Sequence, residues 1–151
     1  MISKHISDRE GVYSITAIRR NLDNTPTKTH LNNMKELAEQ IFEPLREWVG
    51  GPIRVNSFYR GKELNKAIGG SSVSQHCKGQ AMDIDDTRCK KTNAEMFKWI
   101  KENLNFDQII WEFGNDKNPN WIHVSYINEV DNRNRCLKAY KKRGKTKYAI
   151  I

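Results

Sequence analysis

Two kinds of apolar spacing alternate irregularly along this chain of 151 residues, and their order restricts the fold. Helical spacing runs from Thr29 to Val49, recurs briefly over residues 62–68, and returns after Thr92. Strand-like alternation occupies four short segments: 53–58, 80–85, 106–113 and 121–127. Because helices and strands do not repeat as regular strand–helix–strand units, we predict an α+β fold in which helices flank an antiparallel sheet.

Turn and capping residues delimit these segments. Pro44 is expected to kink or restart the first helix, and Gly50-Gly51-Pro52 to end it. Thr92 and Glu95 form a capping box that opens the last helix. We therefore divide the chain into three parts. They are an irregular N-terminal segment (1–28), one domain (29–130) and a basic C-terminal segment (131–151) that packs on the domain or trails from it.

Composition excludes some classes of protein and indicates the charge of the partner. With 37% hydrophobic and 29% charged residues, the chain is too apolar for general disorder, and it has no apolar run of about 18 residues that could span a membrane. The net charge of +8 favours an anionic partner. Eight Lys and Arg residues lie within 133–151, and this cluster is equally well explained as a solvated tail or as a contact for that partner. Three cysteines without a CxxC motif argue against a disulfide framework.

Two histidines and one aspartate stand on or beside predicted strands. If their strands are neighbours, alternation points Asp83 and His123 to one face of the sheet, with His76 just before the first strand. Two imidazoles and one carboxylate provide three zinc ligands and leave a fourth position open, as in catalytic sites. Many histidines near strand ends bind no metal and only form hydrogen bonds. Spacing alone therefore leaves open whether these histidines are zinc ligands or ordinary hydrogen-bonded side chains. Cys77 points away from its neighbour His76 and is expected to be a packing residue.

Four ordered motifs carry a family resemblance. Residues 74–83 follow the pattern SxHxxGxAxD, and residues 121–125 follow WxHxS. Two further stretches, 52–70 and 106–112, fit small single-domain members from phages and bacteria. Together these motifs resemble the zinc D-alanyl-D-alanine carboxypeptidase family, which shares its fold with hedgehog signalling domains. The resemblance implies a hedgehog/DD-peptidase-like fold with residues 29–130 as the zinc peptidase domain.

Carried over to this chain, the resemblance implies one Zn²⁺ ion held by His76, Asp83 and His123, with zinc-activated water as the nucleophile. It assigns Arg60 to the substrate carbonyl or carboxylate, and Glu112 is our candidate general base. Substrate contacts are expected from Arg60 and from four residues that flank the ligands: Ser74, Gln75, Trp121 and Ser125. The implied reaction is hydrolysis of a peptide bond in the peptidoglycan stem peptide, as a D,D-carboxypeptidase or as an endolysin-like L,D-endopeptidase.

Two positions depart from the family pattern. Dipeptidase members carry an acid three residues before the last histidine, where this chain has Asn120, and small members usually carry glycine at the position of Phe58. We expect Phe58 to change only the rim of the pocket. Either Glu112 supplies the missing carboxylate from a neighbouring strand, or the site binds zinc without turnover. The alternative function is therefore a non-catalytic zinc-containing module that binds a partner or forms part of a virion.

Partners and localisation follow from the charge and from the first residues. The peptides and teichoic acids of the cell wall are anionic, so the basic C-terminal segment is a candidate contact for wall polymer. Trp99, Trp111 and Trp121 are not interleaved with the basic residues, which argues against nucleic-acid binding. Residues 1–11 lack the apolar segment of a secretory signal. We expect synthesis in the cytoplasm and action on the wall after release, or within a phage particle.

Overall fold

Six strands form one sheet in the computed structural model, which describes residues 1–151. The spatial order is β1-β2-β4-β3-β5-β6, and every neighbouring pair is antiparallel except β3 and β5, which are parallel. The strands are β1 (Arg54–Ser57), β2 (Ala81–Asp85), β3 (Gln108–Glu112), β4 (Trp121–Ser125), β5 (Arg135–Lys142) and β6 (Lys145–Ile150). The predicted α+β class is confirmed, and all four predicted strands are present.

Six α-helices and two short helical turns accompany the sheet. The helices are α1 (Asp8–Val12), α2 (Ile15–Arg19), α3 (Lys28–Leu37), α4 (Glu43–Val49), α5 (Lys62–Ala67) and α6 (Asn93–Asn103). A π-helical turn (Ala38–Phe42) joins α3 to α4, and a 3₁₀ turn (Gln75–Lys78) precedes β2. None of these helices combines the length and apolar character that crossing a bilayer requires.

One face of the sheet is apolar and packs on the helices. Met82, Ile84, Ile122 and Val124 project from β2 and β4 into the main hydrophobic cluster, and each is completely buried. Residues of α3, α4 and α6 complete that cluster: Met34, Leu37, Leu45, Met96, Phe97 and Ile100. Because side chains alternate along a strand, the residues between these apolar positions point to the opposite face. That opposite face carries the candidate site.

Pro44 is accommodated by a widened turn. The Glu43 N–H donates to the Ala38 carbonyl, five residues back, and Pro44 then occupies the first turn of α4. Proline has no N–H to donate, so it is tolerated at this position and not inside a continuous α-helix. The predicted helical restart at Pro44 is therefore observed. Gly50, in the left-handed conformation with φ 73°, ends α4 as predicted.

The two terminal segments differ from the sequence prediction. Residues 1–28 are not irregular throughout, because α1 and α2 form there, with Ser7 and Ser14 as their N-caps. Helices of five residues are too short to produce a recognisable apolar period. Residues 131–151 neither trail from the domain nor simply pack on it, because β5 and β6 extend the sheet. Their turn places Arg143 and Gly144 at φ 53° and 76°, the positive values of a tight hairpin.

Candidate metal centre

Two paired strands and the 3₁₀ turn bring His76, Asp83 and His123 together. Asp83 of β2 lies directly opposite His123 of β4, and opposed residues in a sheet project from the same face. His76 comes from the 3₁₀ turn, which Ser74 caps by accepting a hydrogen bond from the His76 N–H at 3.3 Å. One potential ligand atom from each side chain lies within 4.8 Å of the other two. The register of the sheet thus produces the cluster that the sequence motifs predict.

Hydrogen bonds orient the two imidazoles. The Nδ1 of His76 lies 2.7 Å from the Phe58 carbonyl oxygen, and because a carbonyl only accepts, this nitrogen carries the proton. The Nε2 of His76 is then the nitrogen with a free lone pair, and it faces Asp83 Oδ1 at 3.4 Å. The Nδ1 of His123 lies 3.1 Å from the same oxygen. Phe58 therefore supports the cluster through its backbone, and its side chain lies in the core rather than on the pocket rim, contrary to our expectation.

The protonation states of these groups suit a metal ion. Burial lowers the pKa of His76, and Asp83 opposes this only in part, so the imidazole is neutral at pH 7. Burial alone would raise the pKa of Asp83, but the two histidines hold it well below its usual range, so the carboxylate is charged. Metals bind neutral imidazole and ionised carboxylate. The donor set of two imidazoles and one carboxylate is that of a zinc site with an open fourth position.

The unpartnered Nε2 of His76 provides an independent test of whether these residues fit a metal ion. His76 is 1% exposed, and its Nε2 makes no hydrogen bond, although a buried polar atom left unpaired costs about 1–3 kcal/mol. A metal ion bound between His76, Asp83 and His123 would give that nitrogen the partner it lacks. The residues present therefore fit a resident zinc ion.

Glu112 lies on the same face of the sheet as the cluster. It ends β3 opposite Trp121 of β4, two positions along from His123, and lines the same cleft of about 900 Å³. Glu112 is 8% exposed, and its burial raises its pKa to about 7, with Asp83 adding to the effect and His123 opposing it. A carboxyl that exchanges its proton near neutral pH is suited to general acid–base catalysis.

Arg60 lines the cleft on the side of the 3₁₀ turn. Its backbone N–H donates to the His76 carbonyl at 3.1 Å, which ties the residue to the cluster. The guanidinium has no carboxylate within ion-pair distance, and its buried Nε makes no hydrogen bond. Burial lowers the pKa of Arg60, and Asp83 opposes that shift. An uncompensated cation beside the cluster is available to an anionic group of a ligand.

The remaining predicted substrate contacts divide into two groups. Ser74, Gln75 and Trp121 line the cleft. Ser125 does not, because it is completely buried and its hydroxyl lies 3.4 Å from Asp107 Oδ2. Although Ser125 shares the face of β4 with His123, the residues that cover the end of the sheet exclude it from solvent, so the structure gives no support to a substrate contact there.

Asp107 is a supporting residue that the sequence prediction missed. It is completely buried and accepts hydrogen bonds from Gln75 Nε2 at 3.0 Å and from Arg133 Nη2 at 2.8 Å. These bonds attach the turn that carries His76 to the start of β3 and to the segment before β5. Burial alone would raise the pKa of Asp107, but the hydrogen bond from Arg133 and the other donors lower it. Asp107 lies within the motif at 106–112, but the sequence pattern places its partner Arg133 in the basic C-terminal segment.

Comparison with known proteins agrees with the geometry. The family model described as Peptidase M15 matches residues 4–125, which include His76, Asp83, His123, Arg60 and Glu112. A search of curated proteins finds no match to the chain. The match covers well over half of the sequence and all of β1 to β4. The fold, the order of the motifs and this match together establish that the chain belongs to the peptidase M15 family.

Proposed function

We propose that this chain is a zinc-dependent peptidase that hydrolyses a peptide bond of the peptidoglycan stem peptide. The observation that carries the proposal is the convergence of His76, Asp83 and His123 around an unpartnered His76 Nε2, with Glu112 in the same cleft. Membership of the peptidase M15 family supports peptide hydrolysis, and the donor set supports zinc. The bond cut is a D,D bond or the L-alanyl-D-glutamyl bond.

The side chains of the cleft have three different roles in the proposed hydrolysis. His76, Asp83 and His123 would hold a zinc ion, which supplies Lewis acidity and makes water a nucleophile at neutral pH. Glu112 accepts the proton of the attacking water and returns it to the leaving amine, a role worth about 10²–10⁴-fold in rate. Arg60 contributes positive charge to the carbonyl oxygen that becomes negative, or to a substrate carboxylate.

The raised pKa of Glu112 supports this assignment. A carboxyl with a pKa of about 7 is a stronger base than an ordinary glutamate, yet it is still partly ionised at neutral pH. Asn120 occupies the position where dipeptidase members carry an acid, and its backbone N–H donates to the Glu112 carbonyl at 2.9 Å. The two positions are therefore adjacent in the fold, and Glu112, unlike Asn120, lines the cleft that contains the metal cluster.

Two variants and a metal assay test the proposal. Asp83→Ala is expected to lose zinc and activity together, because it removes the ligand between the histidines. Glu112→Gln is expected to retain stoichiometric zinc and to lose activity by at least about 100-fold. Zinc content is measured by elemental mass spectrometry, and activity by mass spectrometry of peptides released from purified peptidoglycan with and without a chelator. Glu102→Gln, on the exposed side of α6, is the matched control.

Each contrary outcome has a definite meaning. Near wild-type release by Glu112→Gln would show that another group is the base. Bound zinc without release from several wall types would favour the non-catalytic zinc module. Among productive outcomes, free D-alanine identifies a carboxypeptidase, whereas new L-alanine and D-glutamate ends identify an endopeptidase.

A further inference from the structure

The β5–β6 hairpin forms one wall of the cleft and lies outside the family match. Leu137 and Ala139 of β5 are paired with Ile110 and Glu112 of β3, so alternate residues of β5 face the side of the sheet where His123 lies. Arg135 and Lys141 point to the same face as Leu137 and Ala139, and both line the cleft. The match to the family ends at residue 125, before β5 begins.

The hairpin makes the cleft cationic. Four basic side chains line the cleft, and the hairpin supplies two of them, Arg135 and Lys141. Of the four, only Arg133 is paired with a carboxylate, that of Asp107. Lys141 Nζ donates to Thr146 Oγ1 at 2.8 Å and lies 5.4 Å from the centre of the Phe113 ring, so it is positioned but not neutralised. The cleft has just two lining carboxylates, Asp83 and Glu112, and the first belongs to the metal cluster. Positive charge therefore remains for a ligand to neutralise.

The spacing of the hairpin cations suits an extended chain. Arg135 and Lys141 are six positions apart on β5, which corresponds to about 20 Å between their backbones at 3.3 Å per residue. An extended peptide of five or six residues spans about 17–20 Å, and the long side chains of the two cations can cover the remainder. Leu137 and Ala139 provide an apolar floor between the two cations, and exposed Ile68 and Val73 line the cleft from the α5 side.

We propose that the hairpin is a specificity-determining subsite in which Arg135 and Lys141 bind carboxylates of an extended anionic peptide, remote from the bond that is cut. This inference rests on the proposed function and goes beyond it, because it predicts selection of stem peptides with free carboxylates over amidated ones. It also predicts that a dipeptide, which cannot reach both cations, is a poor ligand.

Binding is measured first, on zinc-loaded protein that carries Glu112→Gln and is therefore expected not to turn over. Isothermal titration calorimetry compares a stem pentapeptide with free carboxylates and the same peptide with its carboxylates amidated. Arg135→Ala and Lys141→Ala are each expected to weaken binding of the acidic peptide about threefold to fivefold. The double variant is expected to weaken it about tenfold to 25-fold, because the free-energy losses at sites so far apart add. Binding of the amidated peptide should not change.

Lys147→Ala is the matched control. Lys147 is exposed on β6 of the same hairpin and is paired with Tyr140. Tyr140 precedes Lys141 on β5, so Tyr140 and Lys147 point to the face of the sheet opposite to that of Lys141. The substitution removes the same charge from the opposite face of the sheet, so it should leave the affinity unchanged. Equal affinities for both peptides, or an equal loss in Lys147→Ala and Lys141→Ala, would overturn the inference.

Parallel kinetics with zinc-loaded enzyme separate the two proposals. Cleavage with the same KM for acidic and amidated peptides in every variant would overturn the hairpin subsite and leave the proposed function intact. The expected pattern of affinities without any cleavage would support the subsite and overturn the hydrolytic function. Failure of the zinc-loaded protein with its native hairpin to bind either peptide would overturn both.

Discussion

Glu112 is expected to destabilise the metal-free protein at neutral and alkaline pH. Its pKa is about 7 in the folded chain and 4.5 for an ordinary glutamate, so the folded state holds its proton more tightly than the unfolded state does. The stabilising effect of that proton is present below pH 4.5 and is lost as the pH rises through 7. At 1.36 kcal/mol per pKa unit the full loss is about 3 kcal/mol, which access of solvent to the cleft reduces to about 2–3 kcal/mol.

Glu112→Gln removes this pH dependence, because the amide has no charge to bury. In the metal-free protein at pH 8, we expect the variant to be more stable than the wild type by about 2–3 kcal/mol. For a chain of this size that difference corresponds to a rise in Tm of roughly 5–10 °C. At pH 4.5 the wild-type side chain is itself protonated when folded, and the two proteins should melt close together.

Differential scanning calorimetry with a chelator present, at pH 4.5 and pH 8, measures both quantities. Glu102→Gln, on the exposed surface of α6, should leave Tm unchanged at each pH. A Glu112→Gln protein that melts at or below the wild-type temperature at pH 8 would refute the reasoning, since it would mean that the folded protein stabilises the charged carboxylate. The expected result would identify Glu112 as a residue whose chemistry is maintained at a cost in stability.

Four further substitutions test the framework of the fold and the site. Asp107→Ala leaves Arg133 without its carboxylate and should cost about 2–3 kcal/mol in urea unfolding, with weaker zinc binding by titration. Gly79→Ala should cost at least about 2 kcal/mol in the same assay, because its φ is +71° and a Cβ would clash with the backbone oxygen of His30. Gly144→Ala, with φ +76° but open space, should cost about half as much. Cys77→Ala should retain stoichiometric zinc in elemental analysis, since Cys77 lies outside the cluster.

Local patterns were sufficient for most of the central fold. The capping box at Thr92 and Glu95, the stop at Gly50 and the alternation around Met82 and Ile84 each depend on neighbours in sequence, and each is present in the structure. Short-range patterns were insufficient at both ends. The five-residue helices near the N-terminus have no apolar period, and β5 buries only three of its eight residues, so its strand pattern is obscured by basic side chains.

The candidate site, like the fold, was predictable from local sequence only in part. The types and order of His76, Asp83 and His123 could be identified from the motifs, because these residues lie within short recognisable segments. Their mutual distances, and the burial that shifts the pKa of Glu112, depend on which strands are neighbours. Ser125 illustrates the difference, because alternation places it correctly on the face of His123 but cannot reveal that Asp107 and its partners cover it.

The sequence by itself determined the helices and strands of the central domain, the family and the set of residues that could hold zinc, because these depend on residue type and short spacing. Tertiary structure alone decided that β5 joins β3 in parallel, which turns an apparent basic tail into a wall of the cleft. It also decided that His76 Nε2 is buried without a partner. Both outcomes depend on pairing between segments far apart in the chain, and no local pattern encodes such pairing.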